Sequence, residues 1–110
     1  MERRYEHERF WDVADEFIGT GRVEEGTMMG HHCLRAVPGG GFVATVERSS
    51  GDLVVKLAAQ RVSDLIESEE GVAFAPAGKT FKEWVQIPRY DAGRWAELIE
   101  ESIDFVGSTS

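Results

Sequence analysis

Residues 42–57 read FVATVERSSGDLVVKL, and this stretch decides the fold class. Two short runs rich in valine and other β-favouring residues flank a polar turn that contains Gly51. Runs of this length around a glycine-containing turn are typical of an antiparallel hairpin. The stretch therefore predicts two adjacent antiparallel strands, Phe42 to Arg48 and Leu53 to Leu57.

Further β-rich segments lie on both sides of this hairpin. A strand is predicted from Met28 to Val37, and the glycine-rich turn that begins at Pro38 joins it to Phe42. The segment Arg22 to Glu25 before it is interpreted as a polar connection. Two shorter strands are predicted downstream, Val72 to Ala75 and Phe81 to Ile87. Together these segments predict an antiparallel sheet.

Three segments have helical patterns. Tyr5 to Ile18 places apolar residues at helical spacing and is followed by Gly19-Thr20-Gly21, a typical helix end. Ala59 to Ser68 is a shorter amphipathic segment. The last helix follows Asp91, whose carboxylate is placed to accept from free backbone N–H groups as an N-cap.

The predicted order of elements is α-β-β-β-α-β-β-α. This order predicts an α+β fold, a two-layer sandwich in which an antiparallel sheet carries its helices on one face. In this interpretation residues 1–107 form a single domain, and residues 108–110 form a frayed tail.

The charge of the chain is concentrated in its predicted helices. The net charge is −8, and residues 1–18 hold six acidic and three basic side chains, whereas residues 73–90 hold one acidic and three basic. Binding to nucleic-acid phosphates needs clustered lysine and arginine. We therefore expect a nucleic-acid partner to be disfavoured, and the acidic helices to be solvated surface.

The cysteine content and the hydropathy of the chain indicate its cellular compartment. Cys33 is the single cysteine, so no intrachain disulfide can form, which fits a reducing compartment. The N-terminal residues 1–9 contain arginines but no apolar segment follows them, so no secretory signal is predicted. No window approaches the about 18 apolar residues of a membrane span. These observations predict a cytoplasmic protein without a membrane partner.

Two glycine-containing motifs resemble nucleotide-binding loops. Gly78-Lys79-Thr80 matches the end of a phosphate loop, but position 73 is alanine instead of glycine, and a strand instead of a helix is predicted to follow. Gly19-Thr20-Gly21 begins like a dinucleotide fingerprint, but it follows a helix and lacks the third glycine. We interpret both as turns.

The sequence gives little support for a metal site or for a catalytic site. In His31-His32-Cys33 adjacent strand residues point to opposite faces, so only His31 and Cys33 could share a metal, whereas structural zinc takes four ligands. No serine lies in a nucleophile motif, and no carboxylate pair can be nominated. We expect no metal, no cofactor and no catalytic residue.

One pattern carries a functional hypothesis. If the apolar strand residues face the helices, the alternate residues share the open face of the sheet. These alternate residues are Arg35, Lys56, Lys82, Trp84 and Gln86. Three interpretations stay open: an ordinary surface or, with a register shifted by one, a core tryptophan; a self-association face; or a face for an anionic ligand or a nucleic acid, whose bases stack on aromatic rings.

Three segments also resemble the TfoX N-terminal domain family. They are Thr27-Met28-Met29-Gly30, the run DLVVKLAAQRV at residues 52–62, and KEWVQIP at residues 82–88 ahead of a helix that contains Trp95. Their order and spacing match across residues 8–107, with Met29 and Phe81 as conservative departures. The resemblance implies an αβββαββα sandwich of the secretion-chaperone-like kind, related to the YjbR group, and no established catalytic residues.

The sequence features and the resemblance to the TfoX N-terminal domain family together lead to an expectation about function. Longer TfoX proteins are competence regulators with an additional C-terminal helical domain, and the chain reads as a stand-alone N-terminal domain, which puts a competence role in doubt. The sequence predicts a non-enzymatic interaction or regulatory module that acts through protein contacts, as a homodimer. The alternatives are a nucleic-acid-linked regulator that uses the basic-aromatic face, and a small-ligand binder or enzyme with an unrecognised site.

Overall fold

The structure, a computed structural model, describes residues 7–28, 31–37 and 40–108. A short 3-10 turn, Pro76–Gly78, precedes the last strand. In chain order the helices and strands are α1 (Glu8–Thr20), β1 (Val23–Met28), β2 (His31–Ala36), β3 (Phe42–Val46), β4 (Leu53–Lys56), α2 (Ala59–Glu67), β5 (Val72–Ala73), β6 (Trp84–Ile87) and α3 (Ala92–Ser108).

The strands form one antiparallel sheet in the order β1-β2-β3-β4-β6-β5. The three helices pack on one face of this sheet, so the predicted α+β two-layer sandwich is confirmed. The order α-β-β-β-α-β-β-α is present from α1 to α3, with β1 as one additional strand at the edge of the sheet.

The interpretation of Arg22 to Glu25 as a polar connection is wrong. Val23–Met28 pairs with β2 along its whole length, and Val23 is 2% exposed. The predicted strand from Met28 to Val37 is therefore two strands, β1 ending at Met28 and β2 beginning at His31. Residues 29 and 30 between them lie outside the described residues.

One hydrophobic core fills the space between the helices and the sheet. Burial of this apolar surface is the main driving force for the fold. Its largest fully buried side chains are Phe10 of α1, Leu65 of α2, Trp95, Leu98 and Ile99 of α3, and Leu34, Leu53 and Ile87 of the sheet, together with Leu57.

The helix ends follow the predicted signals. Gly21 adopts a left-handed conformation (φ 81°) and donates its N–H to the Ile18 carbonyl, which confirms the glycine stop of α1. The Asp91 carboxylate accepts from the Arg94 N–H at 3.0 Å, as an N-cap residue does. The frayed tail is predicted over residues 108–110, whereas α3 continues to Ser108; residues 109 and 110 lie outside the described residues.

A β-bulge interrupts the register between β2 and β3. Leu34 pairs with Ala44, but the next pair joins Arg35 to Phe42, so Val43 is an extra residue on β3. The bulge places Phe42 on the same side of the sheet as Arg35. In the parts of the chain that the structure describes, no helix has both the length and the apolar character needed to cross a membrane.

Candidate functional site

The side of the sheet turned away from the helices is called the open face here. Cross-strand register determines its members, because directly opposed residues in an antiparallel pair point to the same side. Lys56 lies opposite Trp84, and Val54 lies opposite Gln86. The residues that the register places on the open face include Glu24, Gly26, Cys33, Arg35, Phe42, Thr45, Val54, Lys56, Val72, Trp84 and Gln86.

Four of the five residues predicted for this face occupy it: Arg35, Lys56, Trp84 and Gln86. Trp84 is half-buried and does not belong to the core between sheet and helices, so the alternative register that makes it a core residue is excluded. The side chains at 84 and 86 alternate with the buried Val85 and Ile87, as the sequence predicts.

Lys82 is not held on the open face. The strand predicted from Phe81 begins only at Trp84, because residues 81–84 form a turn in which the Trp84 N–H donates to the Phe81 carbonyl. The last bond of the ladder joins the Leu57 N–H to the Glu83 carbonyl, and the chain beyond Leu57 turns into α2. Lys82 therefore lacks a strand partner, and its side chain is exposed.

Phe42 belongs to the open face although strict alternation does not predict it. Counting by twos from Ala44 places Phe42 on the helix side of the sheet. The bulge at Val43 reverses this, and the Arg35 guanidinium carbon lies 5.6 Å from the centre of the Phe42 ring. No residue pattern in the sequence marks a bulge at this position.

The charges around Trp84 are largely balanced. The Lys56 ammonium lies 6.0 Å from the centre of the Trp84 ring and 4.0 Å from the Glu83 carboxylate. Gln86 donates from Nε2 to the Asp52 carboxylate at 2.8 Å. The basic character expected from the sequence is thus offset by two carboxylates at the rim, and the face combines an aromatic ring with near-neutral charge.

Arg35 is the other polar anchor of the open face. Its Nη2 donates to the Gly40 carbonyl at 3.3 Å, and its guanidinium lies over the Phe42 ring. Its Nε is buried and has no hydrogen-bond partner among the described residues. A buried donor without a partner is costly, because the group has lost its water and gained nothing in return.

The middle of the open face is inaccessible to solvent, although none of the three helices in the described residues packs on it. Cys33 and Val54 are 0% exposed and Thr45 is 5% exposed. Burial raises the pKa of the Cys33 thiol to about 11, with the nearby Arg35 charge acting in the opposite direction. A thiol with this pKa is protonated at neutral pH and is a poor nucleophile.

His31 and Cys33 are the two residues of the His31-His32-Cys33 cluster that the sequence allows to share a metal. The side chain of His31 lies outside the described residues. His32, which is described, lies 3.3 Å from the Glu25 carboxylate through Nδ1. Among the residues that the structure describes, histidine, cysteine and carboxylate side chains do not come together in groups of three or more that could hold a metal ion.

A cavity of about 670 Å³ lies at one end of the sheet, between the start of α1, the β3–β4 turn and the segment before α3. Arg9 packs over the Tyr90 ring at 4.9 Å, and both residues line the cavity. Arg48 adds a second positive charge, but Glu8 and Asp52 contribute two negative charges. Balanced charge of this kind favours no particular class of ligand.

Two carboxyl groups of the described residues have a lowered pKa. Hydrogen bonds from Ser49 stabilise the Glu47 carboxylate within the β3–β4 turn, and hydrogen bonds from Arg94 stabilise the Glu70 carboxylate. A general acid that works at neutral pH needs the opposite shift. Both carboxylates are therefore explained by the local structure that they hold together.

The open face thus has specific pairs of charged and aromatic side chains, whereas the cavity has a mixed lining. Comparison of the chain with protein-family models, with curated proteins and with solved structures gave no match.

Proposed function

We propose that this chain is a protein-interaction module of the TfoX N-terminal kind, and that it pairs with a second copy of itself through the open face. The observation that carries the proposal is Trp84, a half-buried tryptophan on the side of the sheet away from the helices. No catalytic step is part of this function.

The aromatic residues of the open face have the character of interface anchors. Tryptophan and arginine are enriched among the residues that dominate binding energy, and they act best when they are held in place before binding. Lys56 lies over Trp84 and Arg35 lies over Phe42, so each ring has a cation beside it. These contacts restrict the side chains in the free protein, and less conformational entropy is lost on association.

Charge distribution supports a second copy as the partner. The chain has a net charge of −8, and residues 91–110 of the α3 region hold five acidic and one basic side chain. Two copies that met through their helices would repel each other, since like charges would be desolvated together. The open face has pairs of opposite charge instead, and identical faces can meet across a two-fold axis.

A nucleic-acid role is less well supported by the same residues. Single-strand binders combine stacked aromatic rings with a groove of free positive charge. On the open face Lys56 has Glu83 beside it, and Lys82 lies in a turn outside the strand. The remaining positive charge is too small to attract a polyanion to a protein of this net charge.

We also propose a cytoplasmic location. The one cysteine of the chain is a buried thiol, and a reducing compartment keeps such a thiol free.

Sedimentation equilibrium tests the proposed function. We expect the wild-type chain to form dimers at about 100 µM, within the range of weak but specific interfaces. Trp84→Ala is expected to raise the dimer dissociation constant about thirtyfold or more, the factor that corresponds to losing a hot spot of about 2 kcal/mol. Ile66→Ala removes an exposed apolar side chain from α2 and serves as the matched control with unchanged association.

Two results would overturn the proposal. A wild-type chain that remains monomeric at that concentration has no self-association for Trp84 to support. Quenching of tryptophan fluorescence by single-stranded DNA at low salt, lost both in Trp84→Ala and at high ionic strength, would instead favour the nucleic-acid role.

A further inference from the structure

Glu24 and Arg35 are directly opposed across β1 and β2, and their side chains share the open face. Opposite charges in this position ordinarily form a cross-strand pair. In this protein they do not. The Glu24 side chain is exposed and makes no hydrogen bond or ion pair with any residue in the described ranges 7–28, 31–37 and 40–108.

Arg35 is directed away from Glu24 because β1 has a glycine at the diagonal position. Gly26 lies opposite Cys33, and the stem of Arg35 lies across it. The Cβ of an alanine at position 26 would lie 2.6 Å from Arg35 Cδ and 3.0 Å from Arg35 Cγ. Only a residue without a side chain leaves this space open.

The guanidinium of Arg35 is consequently fixed but incompletely paired. It donates once, to the Gly40 carbonyl, and it lies over the Phe42 ring. No carboxylate among the described residues forms an ion pair with it, and its Nε has no partner there. The other charged groups around Trp84 have partners within the chain, since Lys56 lies near Glu83 and Asp52 accepts from Gln86.

We infer that Arg35 of one copy binds Glu24 of a second copy, and that the reciprocal pair forms across the two-fold axis. This inference rests on the proposed function, the pairing of two open faces. A two-fold axis presents each residue of one copy to the same set of residues of the other. A face that carries one cation and one carboxylate without ion-pair partners among the described residues is therefore complementary to the same face of a second copy. A bidentate Arg–carboxylate contact also adds directional specificity.

Charge reversal tests the pair in a way that contacts within one chain cannot imitate. Arg35→Glu places two carboxylates on the open face, and Glu24→Arg places two arginines there. Each variant alone is expected to lose dimerisation by about tenfold or more, because like charges then meet across the axis. A mixture of the two variants is expected to form heterodimers with about the affinity of the wild-type dimer, because both opposed pairs are then restored.

The readout is native mass spectrometry of the mixed variants, with sedimentation equilibrium of each variant alone. Arg48→Glu, the same charge change at the exposed β3–β4 turn, is the matched control and is expected to form no preferred heterodimer with Glu24→Arg. Circular dichroism verifies that each variant is folded.

The Arg35–Glu24 pair and the open-face dimer are tested by different outcomes. If the wild-type chain dimerises but the mixture shows no preference for heterodimers, the Arg35–Glu24 pair is refuted while the open-face dimer stands. If the wild-type chain is monomeric, both are refuted.

Discussion

The Ser102 hydroxyl of α3 donates a hydrogen bond to the Val43 carbonyl of β3 at 3.0 Å. Ser102 is 0% exposed, and Val43 is the extra residue of the β-bulge, without a register partner in β2. A buried serine therefore satisfies the backbone where the sheet is irregular, and it ties the helix layer to the strand that carries Phe42.

Ser102→Ala is expected to lower the free energy of unfolding by about 1–3 kcal/mol, because the buried Val43 carbonyl loses its partner. Ser63→Ala on the exposed side of α2 serves as the control, with an expected change within about 0.5 kcal/mol. Urea denaturation followed by circular dichroism measures both. Equal midpoints for the two variants would show that the bond contributes nothing.

Two glycine-to-alanine substitutions are expected to change stability in opposite directions. A Cβ at Gly71 would lie 2.6 Å from Val85 Cγ2, in the packed core, so Gly71→Ala is expected to cost about 1–3 kcal/mol. A Cβ at Gly19 in α1 meets nothing within 4 Å, so Gly19→Ala is expected to stabilise the fold by up to about 1 kcal/mol. The midpoints of urea unfolding measure both changes in stability. A change in the same direction for the two variants would contradict the explanation by packing.

The Glu70–Arg94 pair is expected to add to stability only above acid pH. Hydrogen bonds from Arg94 lower the pKa of Glu70 below 4.5, its ordinary value. A lowered folded-state pKa means that the stabilisation is present above pH 4.5 and is lost as the pH falls through the folded-state value. The stability gap between the wild-type chain and Glu70→Gln should therefore narrow progressively below pH 4.5.

Arg94→Gln removes the arginine of the same pair. The difference in unfolding free energy between the wild-type chain and this variant should therefore narrow over the same pH range. Thermal melts between neutral and acid pH measure both gaps. Gaps that stay constant across this range would mean that the Glu70 carboxylate is not stabilised as an ion in the folded state.

Cys33 is expected to resist thiol reagents while the protein is folded. Burial raises the pKa of its thiol from 9.0 to about 11, so at pH 8 the reactive thiolate is about a hundredfold scarcer than in the unfolded chain. Labelling with a chromogenic disulfide reagent should be slower by at least that factor in buffer than in denaturing urea. Equal labelling rates in buffer and in urea would show that the Cys33 thiol is not buried in the folded protein.

Strand alternation was enough to predict most of the open face from the sequence. Within β2, β4 and β6 the alternation is uninterrupted, so the period of two correctly separates Arg35, Lys56 and Trp84 from the residues that face the helices. The glycine stop of α1 and the Asp91 cap were predictable for a similar reason, since both depend on residues next to one another in the chain.

The features that sequence did not predict depend on tertiary contacts. β1 contains Glu24, Glu25 and Gly26, residues with little preference for strands, and it forms because β2 offers a pairing edge. The position of Lys82 depends on where β4 ends, and the side chosen by Phe42 depends on a bulge. None of these three outcomes is encoded by a local pattern.

The two edge strands of the sheet differ in length, since β1 has six residues and β5 has two, and this difference bears on aggregation. β5 consists of Val72 and Ala73 alone, and a strand of two residues exposes too few backbone groups for another chain to add to it. A fibril that grows by pairing sheets edge to edge needs an accessible edge strand on both sides of every copy. In this protein the β5 edge is too short to pair with another chain, so we expect the folded protein to remain as discrete particles even when highly concentrated.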